Sequence, residues 1–251
     1  MNIALLDAEI ARWREAGLTP RLWWRDDDAV DVTPALDRLT ALTGDSGIAV
    51  LLAVIPAFAS DALANHVALY RHLDPCVHGW CHENHEPPGV KRAELGMGRP
   101  LHDVVGDIAR GTERLQVLFG AHLMPVLVPP WNRMREDLAP RLAGAGIEAF
   151  STFTHRLIAP AIQANTHVDV MDWANRTGKP AGAVLAELAG ALAVARVGGG
   201  YEVGVLTHHL VHDAAAWEAC EAMVRTAGVK WVRFPGSTST QHDNAGIARQ
   251  R

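Results

Sequence analysis

The sequence predicts an α/β protein folded as one parallel (β/α) barrel, a single-domain, TIM-like architecture. Short apolar runs typical of strands alternate with segments in which leucine and valine recur at helical spacing, and this order is typical of βα units. The chain of 251 residues has a length at which such barrels commonly form one domain, and no internal repeat or linker-like stretch divides it. Polar clusters follow several predicted strands, the position of functional groups in such barrels.

Three segments of unequal length are predicted along the chain. Residues 1–20 carry apolar side chains at helical spacing, so we expect a short N-terminal helix there. Residues 21–235 are expected to form the barrel. Residues 236–251 are small and polar, which favours a flexible tail.

Turn and cap residues mark the predicted elements. Thr33 before Pro34 predicts a helix start, and Ser60 predicts another. The run 47–55 shows no polar alternation and suits a strand buried on both faces of a parallel sheet. Other strands are predicted at 21–25, 124–128, 147–152, 167–173, 202–206 and 229–234, and other helices at 101–118, 135–144, 184–192 and around 217–223.

Composition excludes several classes of function. The net charge of −5 and the absence of a lysine- or arginine-rich block argue against a nucleic-acid or membrane-surface partner. No apolar run reaches 18 residues, so a transmembrane helix is not expected. The N-terminal segment lacks the features of a secretory signal, so we expect a cytoplasmic protein. Three cysteines without a CxxC pair argue against a disulfide framework.

The histidine-rich segment 77–85 is the strongest candidate for metal binding. His78 and His82 are four residues apart, so a helical turn would project both imidazoles from one face. Two such nitrogens can reach one zinc ion at about 2.0–2.1 Å. A solvated histidine-rich loop is the alternative interpretation of this segment alone.

Further polar clusters follow other predicted strands, at 26–28, 129–133 and 208–213. The carboxyl ends of parallel strands converge on one face of a barrel, so we expect these clusters to meet segment 77–85 there. Two histidines, one carboxylate and a bound water form the usual catalytic zinc site. The water becomes a nucleophile near neutral pH, while a second carboxylate can take its proton and another histidine can protonate the leaving group.

The order of these clusters resembles the polysaccharide deacetylase family, carbohydrate esterase family four. The resemblance spans roughly residues 20 to 235 and keeps the order of the family motifs. Five motifs carry it, namely Asp27-Asp28, His78 with His82, Val128-Pro129-Pro130-Trp131, Asp169 with Asp172-Trp173, and Leu206-Thr207-His208.

The resemblance implies a distorted (β/α)7 barrel and metal-assisted hydrolysis of an amide such as an N-acetyl group. It implies Asp27 as general base, His208 as general acid and Asp169 as the residue that tunes His208. The implied metal ligands are Asp28, His78 and His82, with zinc as the expected ion and cobalt, nickel or manganese as alternatives. The substrate would be a carbohydrate or another small molecule, contacted by Trp131, Pro130, Asn132, His209 and Trp173.

Several departures from the family pattern leave assignments open. Val128 stands where the family has an arginine that orients the base, and either Arg25 or Arg133 could replace it. Asp26 extends the acidic pair to a triplet, so either Asp26 or Asp27 could be the base. His209 beside His208 leaves the acid open in the same way. A glycan-binding protein without catalysis and a metal-free hydrolase of ring amides are the alternative functions.

Overall fold

The computed structural model describes residues 2–154 and 162–235, so the predicted tail at 236–251 lies outside the described residues. The helices are α1 (Asn2–Glu15), α2 (Pro34–Asp45), α3 (Asp61–Leu69), α4 (Leu101–Phe119), α5 (Ala181–Val197) and α6 (Ala214–Val224). The strands are β1 (Arg21–Ala29), β2 (Val50–Val54), β3 (Leu73–Val77), β4 (Val126–Leu127), β5 (Ala149–Phe150), β6 (Ile162–Gln163), β7 (Thr166–Asp169), β8 (Met171–Asp172), β9 (Thr177–Gly178), β10 (Val203–Thr207) and β11 (Lys230–Trp231). Short 3₁₀ segments lie at Pro56–Phe58, Gly120–His122, Pro130–Asn132, Glu136–Ala145 and His209–Val211.

The main sheet is parallel and curls into a barrel. Its strand order is β6-β5-β4-β3-β2-β1-β10-β7, and β11 pairs with β1 outside this path. Beyond β5, Phe153 bridges Thr166 of β7, and Thr154 N donates to Thr166 O at 2.7 Å. This contact links the segment that follows β5 to β7, so β1 to β5, β7 and β10 surround one interior. The predicted distorted (β/α)7 barrel is confirmed.

Two apolar layers stabilise the barrel. One fills its interior around Trp23, whose ring meets Phe234 edge-on with centroids 5.2 Å apart. Gly204 lies against that ring, since a Cβ atom there would come within 2.6 Å of it. The other layer lies between the sheet and the helices and holds most of the buried leucine and valine. Each such fully buried side chain contributes roughly 1.5–3 kcal/mol.

The helix starts agree with the predicted caps. Thr33 Oγ1 accepts a hydrogen bond from Leu36 N, and Ser60 Oγ accepts one from Leu63 N. These bonds satisfy backbone donors that have no partner inside the helix. The predicted N-terminal helix is present but ends at Glu15, before the predicted boundary.

Helix α1 packs on α5 and is tied to it by polar contacts. Trp13 is buried, and its Nε1 donates to Leu192 O at 3.1 Å. Glu9 is also buried and accepts from Arg196 Nε at 2.7 Å. Among the described residues, no helix combines the length and apolar character needed to cross a membrane.

Candidate metal and catalytic site

A cavity of about 870 Å³ opens at the carboxyl ends of the barrel strands. It contains most of the residues that the sequence singles out. The lining residues are Asp27, Asp28, His78, His82, Arg92, Trp131, Asn132, Arg133, Phe153, Asp169, Met171, Trp173, Arg176, His208 and Val211.

The three consecutive aspartates lie inside β1 rather than in a loop after it. The register between β1 and β2 shifts between Asp26 and Ala29, and Asp28 has a φ of 73°. In a regular strand, neighbouring side chains point to opposite faces. A bulge of this kind redirects a side chain, so Asp27 and Asp28 both reach the cavity.

Asp28, His78 and His82 form a cluster with the donor set of a metal site. Asp28 Oδ1 lies 3.0 Å from His78 Nε2 and 3.4 Å from His82 Nε2, and one ligand atom from each residue falls within 4.8 Å of the others. Ligands on a tetrahedral zinc ion at about 2.0–2.1 Å are about 3.3 Å apart. The spacing and the two-nitrogen, one-oxygen donor set therefore fit a divalent transition metal of the size of zinc.

A hydrogen bond to the backbone, on the side of the ring away from the cluster, fixes the orientation of His78. Its Nδ1 lies 2.8 Å from the backbone carbonyl of Val128, so Nδ1 carries the proton and donates to that oxygen. Nε2 is thereby directed toward Asp28 and His82, and once it gives up its proton it can bind a metal, an arrangement common for histidine ligands. Val128 thus contributes through its backbone at the position where the family pattern has arginine.

The cluster does not form on a helical turn, and that part of the sequence interpretation is wrong. Residues 78–85 follow β3 as an irregular loop, and His82 has a φ of 56°. The two imidazoles meet because this loop folds back, with ring centroids 5.2 Å apart. The ring of Trp131 covers His82 from the other side at 4.2 Å.

Glu94 holds this loop, a role that no local sequence pattern indicates. The side chain is fully buried and accepts from Trp80 N at 3.1 Å and from Cys81 N at 2.8 Å. Gly79 has a φ of 61°, and a Cβ atom there would lie 2.0 Å from Glu94 Oε2. Glycine at this position therefore lets the buried carboxylate reach the loop that carries His82.

The charges of the cluster suit metal binding. Burial alone would raise the pKa of Asp28, but the hydrogen bond with His78 and the surrounding histidine charges hold it well below its usual value. Burial and the neighbouring charge of His78 lower the pKa of His82. Burial would also lower the pKa of His78, but Asp28 and Asp27 raise it instead. Asp28 is thus anionic and His82 neutral near pH 7, the forms that bind a metal, and His78 would release a proton when a metal binds.

Arg25 faces Asp27 and is the cation beside this carboxylate. The sequence left the choice between Arg25 and Arg133 open. Arg25 Nη2 donates to Asp27 Oδ2 at 3.1 Å, and Arg25 Nε lies 2.9 Å from Oδ1. Nη1 donates to Ser151 Oγ at 2.8 Å, and Nη2 also donates to Asn132 Oδ1 at 2.6 Å. Arg133 instead donates to the backbone of Arg92.

His208 lies on the other side of Asp27. Its Nε2 is 3.9 Å from Asp27 Oδ2, and the edge of Trp173 packs against its ring at 4.6 Å. Asp169 accepts from Trp173 Nε1 at 2.8 Å and from Met171 N at 2.9 Å. Among the described contacts Asp169 therefore reaches His208 through Trp173 rather than by a direct hydrogen bond. Burial raises the pKa of Asp169, and the charge of His208 opposes that rise.

Asp26 and His209 pair with each other beneath the site. His209 Nδ1 hydrogen-bonds to Asp26 Oδ1, and Thr207 Oγ1 donates to Asp26 Oδ2 at 2.6 Å. Burial would raise the pKa of Asp26, but His209 lowers it; burial would lower the pKa of His209, but Asp26 raises it. Both side chains are fully buried, and neither lines the cavity.

Two residues expected to contact substrate therefore lie elsewhere. His209 is hydrogen-bonded to Asp26, and Pro130 is buried against the Gly79 turn, where a Cβ on the glycine would lie 2.7 Å from Pro130 Cγ. Trp131 and Trp173 do line the cavity. Asn132 also lines it, with its side-chain oxygen bound to Arg25.

Comparisons with known proteins relate the chain to solved structures but not to sequences. No protein-family model matches it, and no curated protein sequence matches it. The peptidoglycan deacetylase PdaC from Bacillus subtilis superposes with a TM-score of 0.54 and 13% identity, covering 86% of this chain and 88% of its own.

Two carbohydrate esterases superpose in the same way. A family 4 carbohydrate esterase from Streptomyces lividans, solved with acetate, gives a TM-score of 0.51 and 12% identity over 82% of this chain and 85% of that one. A family 4 acetyl xylan esterase from Clostridium thermocellum, solved with a cobalt ion, gives a TM-score of 0.51 and 13% identity. The superposition covers 85% of this chain and 87% of the esterase. The chain therefore has the fold that these family 4 esterases and deacetylases share, the fold that its five motifs predict.

Proposed function

We propose that the chain is a metal-dependent hydrolase of carbon–nitrogen amide bonds, which removes the acetyl group from an N-acetylated sugar or a related small amide. One observation carries this proposal. The cluster of Asp28, His78 and His82 shares a cavity with a carboxylate held by an arginine, Asp27, and with a third histidine, His208. This combination contains ligands, base and acid for metal-assisted hydrolysis. The similar folds described above include enzymes named as deacetylases.

Asp28, His78 and His82 would hold the metal, and we propose zinc. Imidazole and carboxylate donors also suit cobalt, nickel and manganese. When bound, a divalent ion of this kind lowers the pKa of water and polarises the amide carbonyl. A cobalt ion accompanies the acetyl xylan esterase of similar fold.

The remaining steps belong to the side chains of this protein. Asp27 would take the proton of the attacking water, and Arg25 keeps its carboxylate turned toward the cavity. His208, on the far side of that carboxylate, would donate a proton to the departing nitrogen. Trp173, held by Asp169, would fix the ring of His208 through a T-shaped contact with it. Trp131 would form an apolar wall for the substrate.

The position of Arg25 also bears on the alternative of a binding protein without catalysis. That alternative drew its support from Val128 in place of the family arginine. Arg25 occupies the cation position beside Asp27 from another strand, so the substitution at position 128 does not leave the carboxylate without a cation.

Release of acetate tests the proposed function. The purified protein, loaded with one equivalent of zinc, is incubated with N-acetylglucosamine, its short β-1,4 oligomers and small N-acetylated amines, and acetate is measured by a coupled assay. We expect zinc-dependent acetate release from at least one of these compounds, abolished by a chelator and restored by zinc. Binding of the same sugars without any acetate release would contradict the proposal and support the binding protein.

A further inference from the structure

Three arginines surround the mouth of the cavity. Arg92 comes from the loop between β3 and α4, Arg133 from the segment after β4, and Arg176 from the turn between β8 and β9. All three residues are exposed, and all three line the cavity. Three separate loops thus bring a guanidinium group to one opening.

These guanidinium groups form no ion pair with a carboxylate of the described residues. Arg133 Nη1 donates to the backbone carbonyl of Arg92 at 2.8 Å, and a neutral acceptor leaves the charge uncompensated. Other arginines of the chain do pair, as Arg135 does with Asp137 at 2.6 Å. The three positive charges at the mouth are therefore available to a ligand.

The other charged residues of the cavity do not cancel this excess. Three carboxylates line the cavity. Asp27 is matched by Arg25, Asp28 belongs to the metal cluster, and Asp169 is buried and accepts hydrogen bonds from Trp173 Nε1 and Met171 N. The chain as a whole has a net charge of −5, so the positive charge at the opening is opposite in sign to the net charge of the protein. Uncompensated charges of one sign at the opening of a cleft concentrate ligands of the opposite sign.

The loops that carry these arginines are held in place. The hydrogen bond from Arg133 to the backbone of Arg92 joins two of them. In the β8–β9 turn, the carboxylate of Asp172 accepts from Ala174 N at 3.0 Å and from Asn175 Nδ2 at 2.8 Å. Such a turn presents Arg176 from a fixed backbone, which reduces the entropy lost when the side chain binds.

The chemistry of the ligand follows from the number and kind of these groups. Guanidinium groups match the oxygens of phosphate and carboxylate. A phosphate ester carries close to two negative charges and offers three acceptor oxygens, enough for three guanidinium groups. We propose that the substrate is an N-acylated amino sugar, or a similar small amide, that also carries a phosphate ester bound by Arg92, Arg133 and Arg176. This inference rests on the proposed function, because it assigns a substrate class to the cavity of the proposed hydrolase.

Paired substrates test this inference in the zinc-loaded protein. Acetate release is compared for N-acetylglucosamine, its 1-phosphate and 6-phosphate, and N-acetylmuramic acid as the carboxylate counterpart. We expect at least one phosphate ester to exceed N-acetylglucosamine and N-acetylmuramic acid in kcat/KM by about tenfold or more. The difference should arise mainly from a lower KM. A factor of about ten is what one additional charge-assisted hydrogen bond contributes. The triple variant Arg92→Gln, Arg133→Gln, Arg176→Gln should lose this preference. The control Lys91→Gln, an exposed neighbour outside the cavity lining, should keep it.

Calorimetry separates this inference from the proposed function. Binding of the phosphate esters is measured with and without zinc, so that coordination of the phosphate by the metal cannot imitate the arginines. Binding that depends on the arginines, in a protein that releases no acetate, would support the phosphate site and contradict the hydrolase. Acetate release with equal kcat/KM for neutral, carboxylated and phosphorylated sugars would keep the hydrolase and overturn the phosphate site. A preference that survives in the triple variant would also overturn it.

Discussion

The guanidinium of Arg25 faces the carboxylate of Asp27 from two residues away on β1, with Nε 2.9 Å from Oδ1 and Nη2 3.1 Å from Oδ2. Both side chains are almost fully buried, at 0% and 3% exposure. An unpaired charge at this depth would be costly, so the two residues depend on each other. The contact also turns the carboxylate toward the cavity, the position that the proposed role of Asp27 as general base requires.

Replacement of Arg25 by lysine should therefore impair turnover without removing the metal. Lysine keeps the charge but cannot contact Asp27, Ser151 and Asn132 with one planar group. We expect kcat to fall on the order of 10²-fold, the lower range for a general base that loses its position. Zinc content should match the wild type, as measured by elemental analysis, and a circular dichroism spectrum checks folding. An unchanged kcat would show that Arg25 does not position the base.

Matched substitutions at His208 and His209 distinguish the acid from its neighbour. His208→Gln should lower kcat by about 10²–10⁴-fold while zinc remains bound, because proton donation to the leaving nitrogen is lost. His209→Gln should act mainly on stability, by about 1–3 kcal/mol in urea unfolding, because Asp26 loses its charged partner in the core. The reverse pattern, with His209→Gln inactive and stable, would assign the acid to His209.

Glu94→Gln should weaken metal binding although Glu94 is not in the cluster. The buried carboxylate accepts from two backbone amides of the loop that carries His82, and an amide side chain offers only one acceptor oxygen. We expect the zinc affinity to fall about 10–100-fold, as for other residues that orient metal ligands. Competition with a zinc-binding dye gives the affinity. Glu83→Gln, in the same loop but exposed, serves as the control and should bind zinc like the wild type.

Glu9 links the N-terminal helix to the barrel in a way that depends on pH. Burial would raise its pKa, but hydrogen bonds from Arg196 and Arg12 lower it below the ordinary value of 4.5. A carboxyl with a depressed pKa stabilises the fold above its unfolded pKa and loses this effect as pH falls through the folded pKa. Glu9→Gln should therefore lower the melting temperature at pH 7 but not near pH 3. An equal effect at both pH values would exclude an ionic contribution.

Much of the fold follows from local sequence. The caps at Thr33 and Ser60 and the buried run of β2 are signals within a few residues. The motif order also identified Asp28, His78 and His82, which the structure brings together. The spacing of His78 and His82 predicted that a helical turn brings them together, and this was wrong. The two residues lie on an irregular loop that is held by Glu94.

The rest of the site depends on contacts between distant strands. Asp26 is removed from the cavity because it lies opposite Thr207 in the β1–β10 register and pairs with His209. Asp28 reaches the cavity because of a bulge whose position the sequence does not mark. The choice of Arg25 over Arg133 follows from strand alternation, which places Arg25 and Asp27 on one face of β1. Register and bulges are tertiary properties, so they could not be predicted locally.

The most direct test of the proposed metal site compares three proteins for zinc content and acetate release. The wild type and Asp27→Asn should each bind about one zinc per chain, and His82→Ala should bind almost none, because it lacks one of the three ligands. Turnover should appear in the wild type alone, since Asp27→Asn keeps the metal but loses the base. Zinc at the wild-type level in His82→Ala, or wild-type turnover in Asp27→Asn, would contradict the assignment of these residues.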